Sequence, residues 1–476
     1  MSEKNIKKNG RKITRREFIG SSAAAAAAFT IIPRSVLGAS KNPAPSKKVN
    51  VAFIGTGDMG IGNLNNCLNL PDVEVIAVCD VAEEVDYGNV EFGGKAGLKV
   101  ALESVKQHYA SRTKSGTYKG CAGYVDFQEM LAKETGIDAV VVSTPDHVHA
   151  VACMAAIKKG KHVYCEKPLT HSVYETRRVT EAARKARVAT QMGNHGHSGE
   201  GIRLAVEWIQ DGAIGPVREI HGWTSVGRPD WVQMKGRPKE TQPVPKSLDW
   251  NLWIGPAPYR PYHSAYAPYN WRGWWDFGTG AIGDMACHNL DPAFWALDLG
   301  APSSVEASCS GLNDEVVPYG ALYNYEFPAR GEMPPVTLKW YDGGLLPPRP
   351  QELEEGRRMR GDGLYFVGDK GVIMLGGWAE SPRIIPESKM KAYKQPPKTI
   401  PRVKGHHRDW IDACKGGDPA SSNFNYAGPL TEAVLLGNVA LRTGKKIYWD
   451  KAKLKATNAP EADQYIKPVF REGWSL

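Results

Sequence analysis

The chain has 476 residues, 42% of them hydrophobic and 23% charged, a balance close to that of soluble globular proteins. That length predicts two or three domains, can bury a large core without staples, and with this composition excludes collagen, coiled coil and wholesale disorder. The formal net charge of +9 is no nucleic-acid footprint, because residues 1–39 hold eight basic and two acidic side chains and the remainder is nearly neutral.

Those first residues read as an address. A basic stretch is followed by the apolar run Phe18 to Ile32 and by the small-residue cleavage site Leu37-Gly38-Ala39, the order of a bacterial export signal. Thr14-Arg15-Arg16-Glu17-Phe18-Ile19 resembles the twin-arginine motif. The run is too short to span a membrane, and no cysteine marks a lipid anchor, so a soluble periplasmic protein with no stable membrane anchor is expected. The eight cysteines form no C-x-x-C pair and several lie in apolar runs. They read as buried small hydrophobes, which fits folding in the cytosol before export.

After a polar linker at 40–47, Val49 to Ile54 reads as a buried strand running into Gly55-Thr56-Gly57-Asp58-Met59-Gly60. This is G-x-G-x-x-G in strand–turn–helix context, a dinucleotide fingerprint whose helix N-terminus faces phosphate. A second strand, Val73 to Cys79, ends at Asp80. A carboxylate there bonds ribose hydroxyls and repels a 2′-phosphate, so NAD is expected rather than NADP. The segment from about 83 to 120 reads as a helix and a surface loop without chemistry. Runs at 137–143, 161–165 and 188–192 continue the alternation of a doubly wound parallel sheet, giving an NAD-binding domain over 48–193 and an α+β domain over 194–476.

Three motifs fall where the strands of such a sheet deliver ligand contacts. Ser143-Thr144-Pro145-Asp146-His147 closes one strand, Glu166-Lys167-Pro168 closes the next, and Gly280 to Asp291 opens a helix bearing Asp284 and His288 four residues apart, hence on one face. Ser143, Thr144, Pro145, His147, Glu166 and Lys167 are expected at the cofactor. With the fingerprint, these motifs resemble the glucose-fructose oxidoreductase / inositol dehydrogenase family, Gfo/Idh/MocA, over essentially the whole mature chain. The resemblance implies a Rossmann domain, an open and mostly antiparallel sheet domain behind it, and oxidation of a sugar or polyol hydroxyl by a nicotinamide. It makes Lys167 and His288 the catalytic pair, with Asp284 beside them. The chemistry asks for the same set: neutral imidazole is a suitable base near pH 7, and an ammonium steadies a developing alkoxide. Asp284 either orients His288, binds substrate, or simply favours a helix N-terminus.

His195 and His197 close the sixth strand as candidate substrate contacts. A metal site with Asp284 or His288 is chemically conceivable for such residues, but H-x-H pairs in loops are more often polar loop residues, and no metal is expected. Strand-like runs at 217–226, 304–309, 322–327 and 336–341, and a hairpin around Gly368-Asp369-Lys370-Gly371, suit an antiparallel sheet. Eight tryptophans and four tyrosines crowd 223–295. They read either as packing or, taken together, as a carbohydrate surface, with Trp271, Arg272 and Trp275 as substrate contacts and Arg228, Asp230 and His263 as possible hydroxyl partners. The C-terminal tail is expected to strap back onto the first domain, and the open sheet face suggests a homo-oligomer, dimer or tetramer.

Location sharpens the chemistry. A dehydrogenase where free NAD is scarce must hold its cofactor tightly and recycle it in the site. Within the family two outcomes are known: a sugar oxidoreductase, here making a 3-keto sugar, and a redox-neutral glycosidase working by transient oxidation and elimination. The glycosidase group lacks the Glu-Lys-Pro lysine, so Lys167 favours the oxidoreductase. A non-catalytic sugar-binding protein is a third reading, but it gives Lys167, His288 and Asp284 no reason to coexist.

Overall fold

Each apolar run read as a strand forms one. The computed structural model describes residues 47–88, 93–113 and 115–476, so the export signal and, but for Lys47, the linker lie outside the described residues. Six parallel strands make the first sheet: β1 (Val49–Ile54), β2 (Val73–Cys79), β3 (Ala122–Tyr124), β4 (Ala139–Val142), β5 (His162–Cys165) and β6 (Thr190–Met192), in the order β3-β2-β1-β4-β5-β6. Their Val, Ile and Cys side chains are buried almost without alternation, as a sheet covered on both faces requires. Helices α1 (Asp58–Leu68), α2 (Leu98–Ala110), α3 (Phe127–Lys133), α4 (Asp146–Lys158) and α5 (Val173–Ala186) supply that cover. Helix α5 starts at a capping box in which Ser172 and Glu175 satisfy each other's backbone N–H groups. Strand order reverses between β1 and β4, and the crevice opens at that point.

A second sheet of nine strands follows: β7 (Val217–Trp223), β8 (Ser304–Ser310), β9 (Gly320–Phe327), β10 (Val336–Tyr341), β11 (Gly363–Gly368), β12 (Gly371–Gly376), β13 (Arg383–Ile385), β14 (Ile447–Asp450) and β15 (Lys455–Ala456). Its order is β13-β12-β11-β7-β10-β9-β8-β14-β15, and every neighbouring pair is antiparallel except β7 with β10. The hairpin turns at Asp369-Lys370, where Gly368 pairs with Gly371.

Helix α6 (Glu200–Gln210) leads from β6 to β7, and later helices sew the two halves together. On α7 (His406–Cys414), Trp410 and Ile411 are buried among Val49, Val51, Val73 and Val141 of the first sheet. Helix α8 (Phe424–Thr443) lies between α5 and β8, and Arg177 of α5 forms a two-pronged ion pair with its Glu432 at 2.7 and 2.8 Å. The N–H of Met192 donates to the Ser422 carbonyl at 2.9 Å and occupies the outer edge of β6. Residues Val49–Leu476 therefore form one compact unit, and the change at 193/194 is a change of sheet rather than a gap in packing.

Candidate active site

The fingerprint turn has the close contacts its glycines predict. Gly55 sits at φ +84°, and a Cβ on it would meet the Ser143 backbone at 2.7 Å. A Cβ on Gly60 would strike the Gly55 carbonyl, so α1 approaches β1 as only glycine allows. Beside the turn lies a cavity of about 790 Å³, lined by Gly55, Gly57, Asp58 and Met59 and by Ser143, Thr144 and Pro145 after β4. Asp80 lines it from the end of β2. Its carboxylate accepts from the Thr56 N–H at 2.7 Å and the Ala82 N–H at 2.8 Å. Burial raises its pKa, and those bonds oppose the rise. Thr56 and Gly60 lie under the turn, where they shape it without lining the cavity. A volume of this size, a glycine turn at a helix N-terminus and an acidic side chain at the end of β2 fit an NAD molecule.

Glu166, Lys167, His195, Arg272, Asp284 and His288 line the other end. Lys167 Nζ donates to Asp284 Oδ1 at 2.7 Å, and the same oxygen lies 3.2 Å from Arg272 Nε. Arg272 also reaches Asp146 at 3.1 Å and lies 4.3 Å from the centre of the Trp271 ring. Burial opposes the charge on Lys167, and the Asp284 carboxylate outweighs it, so the ammonium's pKa is raised. Burial works against the Asp284 charge as well, but Arg272 and Lys167 bring its pKa down to about 2. His288 is held well below the usual histidine value, first by burial and then by the Lys167 charge, and its Nδ1 is buried without a hydrogen-bond partner. Glu166 accepts from Asn63 Nδ2 at 2.9 Å and lies 3.5 Å from His195 Nε2. Its pKa is lowered although burial acts to raise it.

Asp284 and His288 reach the cavity by a less regular route than a plain α-helix. Ile282–Ala286 is a π-helical turn and Cys287–Asn289 the α-turn after it, a distortion frequent at functional sites. Asp284 consequently gives its carboxylate to Lys167 and Arg272 rather than to His288.

Several expected contacts are corrected. His147 is 2% exposed, with its ring nitrogens 3.2 and 3.0 Å from the Phe277 and Trp253 carbonyls, and clamps a loop instead of meeting the cofactor. His197 is 1% exposed, faces Asp291 at 2.9 Å and stacks on Trp295. Trp275 is buried and donates to the Asn313 carbonyl. Most of the aromatic cluster is core: Trp223, Trp231, Trp250 and Trp274 are buried and outside the cavity lining. Arg228, Asp230 and His263 also lie outside it, turned to Met234, Gly227 and Gln242. Trp271, Arg272 and His195 do line the cavity. Among the described residues no three His, Cys, Asp or Glu side chains converge as a metal set.

The cavity also holds residues that carried no signal in the sequence. Asn63 bridges Ser143, Glu166 and His407, and Tyr87 comes from the segment read as empty of chemistry. Trp378 is 46% exposed at the cavity, its ring 6.0 Å from that of His288. Its backbone is left-handed, at φ +53°, with the N–H donated to Asn289 Oδ1 at 3.0 Å. Such a conformation costs on the order of 1–3 kcal/mol and persists where the surroundings impose it.

A doubly wound sheet with a glycine turn, and a Lys–Asp–His group against a second sheet, define a dinucleotide-binding oxidoreductase fold. Residues 49–194 match the oxidoreductase family's NAD-binding Rossmann fold, and residues 220–327 match its C-terminal alpha/beta domain. The chain belongs to the Gfo/Idh/MocA oxidoreductase family, and its cofactor is NAD. It is 26% identical over 258 residues to 1,5-anhydro-D-fructose reductase of Ensifer adhaerens, covering 53% of this chain and 65% of that protein. It is 28% identical over 174 residues to alpha-N-acetylgalactosaminidase of Shewanella oneidensis, covering 37% of this chain and 34% of that one. The chain thus spans less than two thirds of the length of these curated relatives. Among solved structures, the WlbA dehydrogenase of Bordetella pertussis in complex with NADH and UDP-GlcNAcA shares the fold, with a TM-score of 0.55 and 16% identity over 85% of this chain and 99% of that one.

Proposed function

We propose that this chain oxidises a ring hydroxyl of a sugar or glycoside, forming a 3-keto sugar, with NAD held tightly and recycled in the site. The observation that carries the reading is the pairing of a neutral, buried His288 with a charged Lys167 in one cavity. A bound nicotinamide supplies hydride acceptance. His288 takes the hydroxyl proton, and its depressed pKa keeps it free to do so near neutral pH. The Lys167 ammonium steadies the alkoxide that develops as the proton leaves. Asp284 holds that ammonium in place and is itself steadied by Arg272, and Trp271 and Trp378 offer flat faces to a ring.

The match to a galactosaminidase supports a second reading, redox-neutral glycoside cleavage by transient oxidation, elimination and re-reduction. A single experiment separates the two. The purified protein is given a series of methyl glycosides while absorbance at 340 nm and products are followed. Lasting absorbance with a keto-sugar product supports the oxidoreductase, and free sugar without net absorbance supports the glycosidase. Bound sugar with neither product would mark a binding protein and overturn both.

The reading includes export to the periplasm by the twin-arginine route, supported by the order of motifs in residues 1–39. It also includes a homo-oligomer, dimer or tetramer, on the open face of the second sheet. Glu219, Asn324, Thr337 and Lys339 are half-exposed there. Fractionation of the producing cells and light scattering test these two points.

A further inference from the structure

The last ten residues run back across the molecule to the cofactor cavity. Trp474, partly buried, lines it together with Asp80, Val81, Val125 and Phe127. These neighbours sit at the carboxyl ends of β2 and β3, on the far side of the fingerprint from Lys167 and His288. In a doubly wound sheet that side takes the adenosine half of a dinucleotide, since the acidic residue ending β2 meets the adenosine ribose. The walls there are apolar and aromatic: the Trp474 ring lies 6.2 Å from that of Phe127. Flat apolar surface of this kind suits a purine face.

The tail is anchored rather than merely draped. Arg471 donates to Asn251 Oδ1 at 2.8 Å and to the Asn251 carbonyl at 2.9 Å, and its N–H reaches the Pro256 carbonyl at 3.0 Å. Gly473 turns the chain at φ +85°, and the Trp474 N–H returns to the Arg471 carbonyl at 3.0 Å. The short helix Trp250–Ile254 that holds Arg471 lies beyond β7 in the sequence. The strap therefore ties that later segment to the adenosine side of the first sheet.

We propose that Trp474 is a cofactor-binding residue: its indole covers the adenine of NAD, and the Arg471 anchor makes the tail a strap that slows release of the dinucleotide. The binding energy acts on the adenine end alone, so it slows cofactor loss without touching the reacting groups.

The test reads cofactor retention, so it stands or falls apart from the sugar chemistry. The holoenzyme is purified with its NAD, and release into buffer containing excess ADP-ribose is timed for wild type, Trp474→Ala, Trp474→Leu and Trp474→Phe. Loss of one base–aromatic stack predicts release roughly 5- to 100-fold faster in Trp474→Ala. Trp474→Leu is expected to stay fast and Trp474→Phe to return most of the way to wild type, and Arg471→Ala is expected to speed release in the same direction. Release from Trp474→Ala within twofold of wild type would overturn the proposal. So would a Trp474→Leu protein that holds NAD as well as wild type, because bulk alone would then suffice.

Discussion

A histidine that takes a proton from a hydroxyl near neutral pH has to be uncharged before it acts. His288 meets that condition because burial, and after it the Lys167 ammonium, both disfavour its charged form. His288→Ala is expected to lower kcat by roughly 10²- to 10⁴-fold, the usual cost of losing a general base. The acid limb of the wild-type pH–rate profile should fall well below pH 6.5, as steady-state rates across pH will show. Asp284 acts on the neighbouring charge. Its carboxylate offsets the burial of Lys167, so Asp284→Asn should lower the lysine pKa and bring a basic limb down toward neutral pH in the same measurement. That Lys167 and His288 line one cavity was legible in the sequence because strand-end and helix motifs carry both. The misplacement of His147 and His197 has a plain cause: a histidine beside a strand end looks the same whether it faces the crevice or a buried acceptor, a backbone carbonyl for His147 and a carboxylate for His197. That difference is set by Phe277, Trp253 and Asp291, which are remote in sequence.

At the scale of elements, apolar runs marked five of the six strands of the first sheet, and alternation with a hairpin signal marked β7 to β12 of the second, while the short β13, β14 and β15 went unread. β3 escaped because three residues with a glycine at their centre carry no periodicity. The aromatic stretch was harder, since tryptophans that pack on one another and tryptophans that await a sugar have the same composition. In the fold Trp250 and Trp253 stack at 4.6 Å and Trp274 donates to the Ala265 carbonyl, so most of the cluster is a satellite core. Trp378 was invisible because its left-handed backbone is imposed by long-range partners such as Asn289. The fingerprint turn gives the sharpest element-level prediction. Gly55→Ala adds a Cβ against the Ser143 backbone at a positive φ, so the turn must deform. NAD co-purifying with the protein, read from absorbance or by extraction, should drop at least about tenfold, because the backbone approach to the pyrophosphate is lost.

For the whole molecule, buried histidines set the acid limit of stability. Burial holds His147 down to about 4 and His407 to about 3, and lowers His171, His288 and His406 as well. These rings stay neutral in the folded chain but bind protons once unfolded below about pH 6.5, so stability falls as pH falls. A ring shifted as far as that of His147 loses roughly 2 kcal/mol between pH 7 and 5. Three buried acids act the other way: burial raises Asp80 and pushes Asp342 and Glu175 up to about 7, and their contribution is lost as pH rises through their folded-state values. Five histidines outweigh three acids, and thermal melts are expected to give a lower Tm at pH 5 than at pH 7.

The seam between the halves also bears on the order in which the protein is made. Tyr164 of β5 packs against Trp410 and His407, and β6 bonds through Met192 to Ser422. A ribosome that has just released β6 has therefore completed every strand of the first sheet while the surface meant for α7 and α8 is still bare. That surface waits while β7 to β13 are synthesised. The growing chain carries an apolar flank until α7 and α8 follow, and the lining of the nucleotide cleft is complete only when the segment bearing Trp474 arrives.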